Sequence, residues 1–253
     1  MYGLKQRLVA ATVLACLLVA GRVPVSNAKD LEDGHKTSTQ TSTLPLNSMD
    51  GLELQGINEP GAEPVKMQTE VASYRGRRAV RLVNVEGQGV QTGAEILAIV
   101  NTSDFKDGTI EVDVAGVPRE GAKPGTRGFV GIAFRVQNHG SQYEAFYLRM
   151  TNGRADDQLQ RNHSAQYVSR PDFSWKRLRD ENPGMYESYV DLDAGAWTRI
   201  KVVVSGNKAR LYINGADQPC LIVNDLKLGE IRGRVALWTG SDTEAYFSNL
   251  TIR

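Results

Sequence analysis

Residues 108–150 read GTIEVDVAGVPREGAKPGTRGFVGIAFRVQNHGSQYEAFYLRM, and three segments of this stretch decide the fold. Residues 109–114 (TIEVDV) place an apolar side chain at every second position, with Glu111 and Asp113 between them. Residues 129–136 (FVGIAFRV) and 143–150 (YEAFYLRM) divide into two faces in the same way. A period of two is typical of strands that bury one face, so the stretch predicts three strands of a sheet.

The rest of the sequence repeats this pattern in short runs separated by turns. Residues 79–83, 95–100, 234–238 and 245–252 are β-rich runs. A hairpin is predicted for residues 197–213, with Ser205-Gly206-Asn207 at its turn. Because no amphipathic helix of useful length interrupts the strands after the N-terminal region, we predict an all-β domain with the architecture of a β-sandwich.

The N-terminal region has the composition of an export signal. Lys5 and Arg7 precede the apolar run 8–20 (LVAATVLACLLVA), and Ser26-Asn27-Ala28 supplies the small residues of a cleavage site. We therefore expect a signal peptide over residues 1–28 and an exported protein, periplasmic or secreted. An uncleaved membrane anchor and a lipoprotein processed at Cys16 are the less favoured alternatives. Residues 29–46 are polar and predict a disordered leader, and the β-sandwich domain is expected over residues 47–253.

Charge and cysteine content exclude several classes of partner and site. Residues 1–28 carry Lys5, Arg7 and Arg22 and no acidic residue, so their removal changes the formal net charge from +1 to −2. A nearly neutral surface gives no reason to expect nucleic acid or anionic lipid, and no membrane span is predicted in the mature chain. Cys220 is the one cysteine left after cleavage, so no internal disulfide is expected.

The alternating pattern of strands and turns is interrupted at residues 151–185. This segment of 35 residues has little strand pattern and contains interleaved aromatic and polar side chains. Long connections in compact domains are usually functional or disordered, and the aromatic residues argue against disorder. We therefore predict one long ordered insertion that contributes to a site.

The polar and aromatic residues near this insertion suit carbohydrate recognition. Flat apolar rings contact the C–H faces of sugars, and planar polar groups bind vicinal hydroxyls. Tyr147, Arg149 and Arg135 are predicted on non-core strand faces, with Tyr143 and Trp238 on the same sheet. The residues expected from the insertion are Asp157, Gln158, Arg161, Asn162 and His163. The alternative is that the arginines and tyrosines are ordinary solvated residues and that Trp238 is buried.

The order of these strands, ending in residues 246–252 (YFSNLTI), resembles the concanavalin A-like lectin/glucanase sandwich. Within that group, residues 51–253 are most similar to bacterial 3-keto-disaccharide hydrolase-like domains. The resemblance implies a jelly-roll whose concave sheet faces a glycan. Some relatives hydrolyse oxidised disaccharides, many only bind glycans, and others have no known activity.

The resemblance leaves the activity open. Family 16 glycoside hydrolases of the same group carry Glu-x-Asp-x-(x)-Glu, but here Glu111 and Asp113 are followed by Val114-Ala115-Gly116, so the signature is incomplete. Cleavage of a 3-keto glycoside by elimination and hydration needs a base, for which His163 is the candidate. Asp157 or Glu144 would assist it, and Arg149 or Arg161 would polarise the ketone.

No cofactor is expected, and no metal site is assigned. Sandwiches of this group often carry structural calcium, and Asp191, Asp193 and the pair Asp156-Asp157 could offer oxygen ligands. Neither set has a complete calcium-loop signature.

A second hypothesis is a non-catalytic structural or protein-interaction sandwich. The long insertion would then dock a partner chain, with charged residues at the rim of the interface. These residues are Arg170, Asp172, Lys176, Arg177, Arg179, Asp180 and Glu181. The sugar and the oligomeric state are not predicted.

Overall fold

The structure, a computed structural model, describes residues 41–58, 65–84 and 93–253. The predicted signal peptide, Cys16 and residues 29–40 of the predicted leader lie outside the described residues. The described strands are β1 (Ser42–Leu44), β2 (Leu52–Ile57), β3 (Met67–Tyr74), β4 (Arg77–Asn84), β5 (Glu95–Val100), β6 (Gly108–Pro118), β7 (Phe129–Gln137), β8 (Gln142–Arg149), β9 (Ala165–Arg170), β10 (Glu187–Ser188), β11 (Thr198–Ser205), β12 (Lys208–Ile213), β13 (Leu221–Val223), β14 (Arg234–Gly240) and β15 (Thr243–Ile252). The described helices are α1 (Gln158–Asn162) and α2 (Trp175–Glu181), with 3-10 turns at Asn138–Gly140 and Met150–Asn152.

The strands form two antiparallel sheets. The eight-stranded sheet has the order β13-β12-β11-β6-β15-β4-β3, with β1 paired to β15. The seven-stranded sheet has the order β10-β9-β8-β7-β14-β5-β2. This arrangement confirms the all-β class. The described part of the chain contains no helix with the length and apolar composition that a membrane crossing requires.

The core lies between the two sheets and is built from the alternating residues of the strands. Ile110, Val112 and Val114 of β6 and Ile132 and Phe134 of β7 belong to one buried cluster. Burial of one such side chain contributes roughly 1.5–3 kcal/mol. The alternation therefore fixes which face of each strand points inward.

The seven-stranded sheet also buries residues on its other face, which we call the outer face. In register across this face, Trp238 of β14 lies beside Gly131 of β7, which lies beside Tyr147 of β8. The Tyr147 and Trp238 rings stack with centroids 4.6 Å apart and planes 17° apart. Their neighbours in this second cluster are Leu97, Ile99, Ala133, Val136, Tyr143, Ala145, Val168 and Ala236.

Gly131 leaves the space in which these rings approach each other. A Cβ atom at residue 131 would lie 2.2 Å from the Phe146 carbonyl oxygen and 2.6 Å from the Tyr147 Cα. Because backbone atoms must move to relieve this overlap, Gly131→Ala is expected to lower the free energy of unfolding by about 1–3 kcal/mol. Urea denaturation measures the change, with Ser73→Ala on the exposed part of β3 as the control. An unchanged midpoint for Gly131→Ala would contradict the close approach.

The start of the domain and the structure of the insertion differ from the sequence prediction. Ser42–Leu44 forms β1 and Leu46 is buried, so the domain begins before residue 47, within the predicted leader. The segment 151–185 contains β9, which pairs with β8 from Tyr143↔Arg170 to Leu148↔Ala165. The sequence AQYVSR did not predict a strand because Gln166 and Ser169 are polar although both are buried.

Candidate functional site

A cleft of about 700 Å³ lies at one end of the outer face. It is bounded by the end of β8, the insertion with α1 and α2, and the loop between β6 and β7. The side chains that carry its chemistry are Glu95, Lys123, Arg127, Phe129, Arg149, Asn152, His163, Arg170, Trp175, Lys176, Arg179 and Asp242.

Arg149 is a buried cation in the lining of this cleft. Only 6% of the residue is exposed, and its guanidinium donates to the His163 carbonyl at 2.8 Å, the Tyr147 hydroxyl at 3.0 Å and the Gln166 amide oxygen at 3.2 Å. All three acceptors are neutral, and no described carboxylate contacts this guanidinium. A buried charge without a counter-ion is costly, which makes Arg149 a candidate for contact with a ligand.

His163 stands beside Arg149 at the end of α1. The Asp157 side chain caps this helix by accepting from the Gln160 N–H at 2.7 Å, and His163 is the C-terminal cap residue. The pKa of His163 lies below its usual value of 6.5, and burial is the main cause. The negative charge of Glu187 acts in the opposite direction and raises this pKa. The imidazole is therefore neutral at pH 7 and can accept a proton.

Glu187 is the carboxylate that contacts this imidazole. His163 Nε2 lies 3.1 Å from Glu187 Oε1, and Arg179 donates to the same carboxylate, with its Nη2 2.6 Å from Oε2. Glu187 is placed by β10, where it pairs with Gln166 of β9. A carboxylate held by arginine in this way orients the histidine ring and favours the tautomer protonated on Nε2.

Asn152 adds a polar atom without a partner. Its Nδ2 donates to the His163 carbonyl at 3.3 Å, and 3% of the residue is exposed. Its buried Oδ1 has no hydrogen-bond partner among the described residues. Buried polar atoms are nearly always paired, so this oxygen is available to a hydroxyl of a ligand or to a water molecule.

Aromatic residues form the base and one side of the cleft. Phe129 packs edge-on against Tyr147, and Trp238 donates from its indole nitrogen to Glu95 at 2.9 Å. Trp238 is 3% exposed, so it supports the site from below and does not offer its ring to solvent. Trp175, at 44% exposure, presents an open aromatic surface and packs under the Arg179 guanidinium at 4.9 Å.

Two predicted site residues lie inside the protein, and their expected place in the site is corrected. Arg135 sits in a β-bulge with a φ of 53°, and its fully buried guanidinium donates to the carbonyls of Lys106 and Gly206. The bulge breaks the alternation from which an outer position was predicted. Glu144 lies on the core face, where it accepts from the Tyr167 hydroxyl and the Leu228 N–H.

The predicted residues of α1 point away from the centre of the cleft. Asp157 is used as the helix cap, Gln158 donates to Asn162 at 2.8 Å, and Arg161 donates to the Tyr189 hydroxyl at 2.8 Å. Asn162 faces a second, smaller cleft of about 560 Å³. The structure thus brings together Tyr147, Arg149 and His163 over Trp238, and leaves the α1 residues at the rim.

The other sequence-level candidates are engaged in contacts within the chain. Glu111 and Asp113 lie on the eight-stranded sheet, where both pair with Arg199. Asp191 and Asp193 are bridged by Arg154 at 3.2 Å each, and the described residues contain no cluster of three or more His, Cys, Asp or Glu that could hold a metal. The rim charges proposed for a protein interface include the pairs Lys176–Asp180 and Arg177–Glu181 on α2.

Sequence reasoning missed Glu187, Asn152 and Trp175, and it placed Arg179 only at the rim of a protein interface. Glu187 belongs to a strand of two residues, which is too short for a periodic signal. Asn152, Trp175 and Arg179 were inside or next to the insertion, but only the pairing of β8, β9 and β10 shows which side chains converge.

Two solved structures share this architecture. A protein of unknown function with a galectin-like fold from Bacillus subtilis is 13% identical, with a TM-score of 0.51, covering 84% of this chain and 94% of that one. The exoplasmic/lumenal domain of VIP36 in its Ca2+/Man-bound form is 14% identical, with a TM-score of 0.51, covering 86% and 90%. At this identity the likeness concerns the fold alone, and it confirms the expected concanavalin A-like sandwich.

The sequence comparison identifies the family. No curated protein matches the chain. Residues 24–253 match the 3-keto-alpha-glucoside-1,2-lyase-like domain, which confirms the resemblance carried by the strand order. The chain therefore belongs to the family of 3-keto-alpha-glucoside-1,2-lyase-like domains.

Proposed function

We propose that the cleft binds a 3-keto glycoside and cleaves its glycosidic bond by elimination. The observation that carries this proposal is the convergence of His163, backed by Glu187, with the buried and uncompensated guanidinium of Arg149 in one cleft. A base beside a fixed cation is the arrangement that removes a proton next to a ketone. Family membership agrees with this reaction class.

The reaction can be written with this chain's own groups. The ketone at C3 acidifies the C2 proton, which His163 takes through Nδ1, the nitrogen not facing Glu187. The C–H electron pair forms the C2–C3 enolate, whose oxygen is stabilised by Arg149. When the ketone re-forms, the C1–C2 double bond forms, the C1–O bond breaks, and the alcohol leaves with the proton from His163. Addition of water across the C1–C2 double bond would complete a net hydrolysis.

The other residues bind and orient the sugar. The exposed Trp175 ring can stack on a C–H face, and Asn152 Oδ1 can accept from a sugar hydroxyl. Arg179 donates to Glu187 and holds its carboxylate in place, so the orientation of the His163 ring does not depend on the substrate.

The test uses a purified 3-keto disaccharide and its unoxidised parent. Release of the free sugar and transient absorbance of the enone are followed for both compounds. We expect turnover of the 3-keto compound and none of the parent, because only the ketone acidifies C2. Equal cleavage of both, or cleavage of neither, would contradict the elimination reaction.

The pH dependence follows from the state of His163. Burial lowers the pKa of His163, so the active neutral form persists below pH 6.5 and kcat is expected to fall only under more acidic conditions. The Glu187 charge raises the pKa of His163, so Glu187→Gln should shift the acid limb of the pH profile to still lower pH. Steady-state rates of the original protein and of Glu187→Gln, from about pH 4 to 8, measure the shift of the acid limb. An acid limb that moves to higher pH in Glu187→Gln would show that another group is titrating.

A further inference from the structure

The cleft carries an excess of positive charge. Six cationic side chains and two acidic ones line it among the described residues. The whole chain, by contrast, has a formal net charge of +1. Positive charge is thus concentrated at this site and is not a property of the surface as a whole.

Three of the six cations are neutralised by a specific carboxylate. Arg179 pairs with Glu187, Arg170 with Glu95, and Lys176 with Asp180. Asp242, one of the two acidic residues of the lining, forms an ion pair with Arg119, which lies outside the lining. Three cations remain without a described carboxylate partner, namely Lys123, Arg127 and Arg149.

The proposed reaction uses one cation, Arg149, to stabilise the enolate oxygen. Lys123 and Arg127 have no role in that step. Arg127 is partly buried, and a hydrogen bond from the Thr151 N–H to its carbonyl oxygen, at 3.1 Å, holds its backbone. The turn between them is fixed because the Lys123 carbonyl accepts from both the N–H and the hydroxyl of Thr126. The backbone of both residues is therefore held in the wall of the cleft, and their side chains belong to its lining.

We infer that the natural substrate is an acidic glycoside, with a carboxylate or sulfate group that contacts Arg127 and Lys123 while the sugar lies over Arg149. This inference rests on the proposed function, because it assumes that a glycoside occupies the cleft. The planar guanidinium of Arg127 matches two oxygens of one anionic group, and Lys123 adds a point charge beside it. The anion supplies the counter-charge that the described residues lack.

Binding of unreactive sugars tests the inference separately from catalysis. Three unoxidised disaccharides are compared by calorimetry: a neutral one, the same sugar with a carboxylate at C6, and the same sugar with a 6-sulfate. At about 50 mM salt we expect at least one acidic sugar to bind about ten times more tightly than the neutral one. The difference in affinity between the acidic and the neutral sugar should become smaller at about 500 mM salt, where surface charges are screened. The carboxylate and sulfate arms show which anion is preferred.

A pair of variants locates the contact. Arg127→Gln is expected to weaken binding of the acidic sugar about tenfold and of the neutral sugar less than about twofold. Arg154→Gln, a surface arginine paired with Asp191 and Asp193, is the matched control and should leave both affinities unchanged. Thermal denaturation of both variants confirms that they are folded.

Three outcomes would overturn the inference. Neutral and acidic sugars could bind equally, Arg127→Gln could leave the acidic sugar unaffected, or inorganic sulfate could bind as tightly as the sulfated sugar. If the neutral 3-keto disaccharide is nevertheless cleaved, the proposed elimination stands while the acidic substrate class falls. If the acidic sugar binds through Arg127 but no 3-keto compound is cleaved, the reaction is wrong and the ligand class is retained.

Discussion

Replacement of His163 by glutamine is expected to lower kcat for a 3-keto disaccharide by about 100- to 10,000-fold, the usual contribution of a positioned general base. Glutamine can keep a polar contact with Glu187 but cannot accept the C2 proton. The affinity for the unoxidised parent sugar should change little, because the proton is taken only from the ketone. Steady-state kinetics gives kcat, and calorimetry with the parent sugar gives the affinity.

The control for this substitution is His139→Gln. The His139 side chain is 72% exposed, contacts Glu53 and is absent from the lining of the cleft around His163. Its replacement should leave kcat within about twofold of the original protein, as expected for a surface change away from the site. Full activity in His163→Gln would assign the base to another group and remove the central step of the proposed reaction.

Arg135→Met is expected to lower the free energy of unfolding by about 3 kcal/mol, the largest effect on stability that the structure predicts outside the hydrophobic core. Arg135 is fully buried and donates to the carbonyls of Lys106, Gly206 and Gly229. These carbonyls belong to three separate loops, which the guanidinium holds at one end of the sandwich. Methionine keeps the bulk of the side chain but leaves the partly buried acceptors unpaired.

Urea denaturation measures this loss, with Arg154→Met as the matched control. The Arg154 side chain is 60% exposed, and its pairs with Asp191 and Asp193 are at the surface. Its replacement should leave the urea midpoint nearly unchanged, as is usual for exposed ion pairs. If Arg135→Met were as stable as the control but lost affinity for sugars, Arg135 would belong to the binding site as the strand pattern first indicated.

The strand pattern was sufficient for the fold because burial follows alternation. Residues 109–114 and 129–134 show which side chains enter the core, and both strands behave as predicted. Tyr147 and Arg149 were also predicted, since each is a chemically suitable residue in a strand that was recognised, and His163 was predicted as the histidine of the long insertion. The prediction failed where the backbone departs from regular geometry, as at the bulge of Arg135, or where polar residues are buried, as in β9.

The sequence by itself predicted the all-β class and three residues of the candidate site, because these depend on local periodicity and residue type. The family followed from the resemblance of its strand order to known domains. The tertiary structure alone decided which charges meet. Glu187 lies 24 positions after His163 in the chain, and only the pairing of β10 with β9 brings its carboxylate within 3.1 Å of the imidazole. It also decided which cations have partners, since pairing in space is not encoded by spacing along a strand.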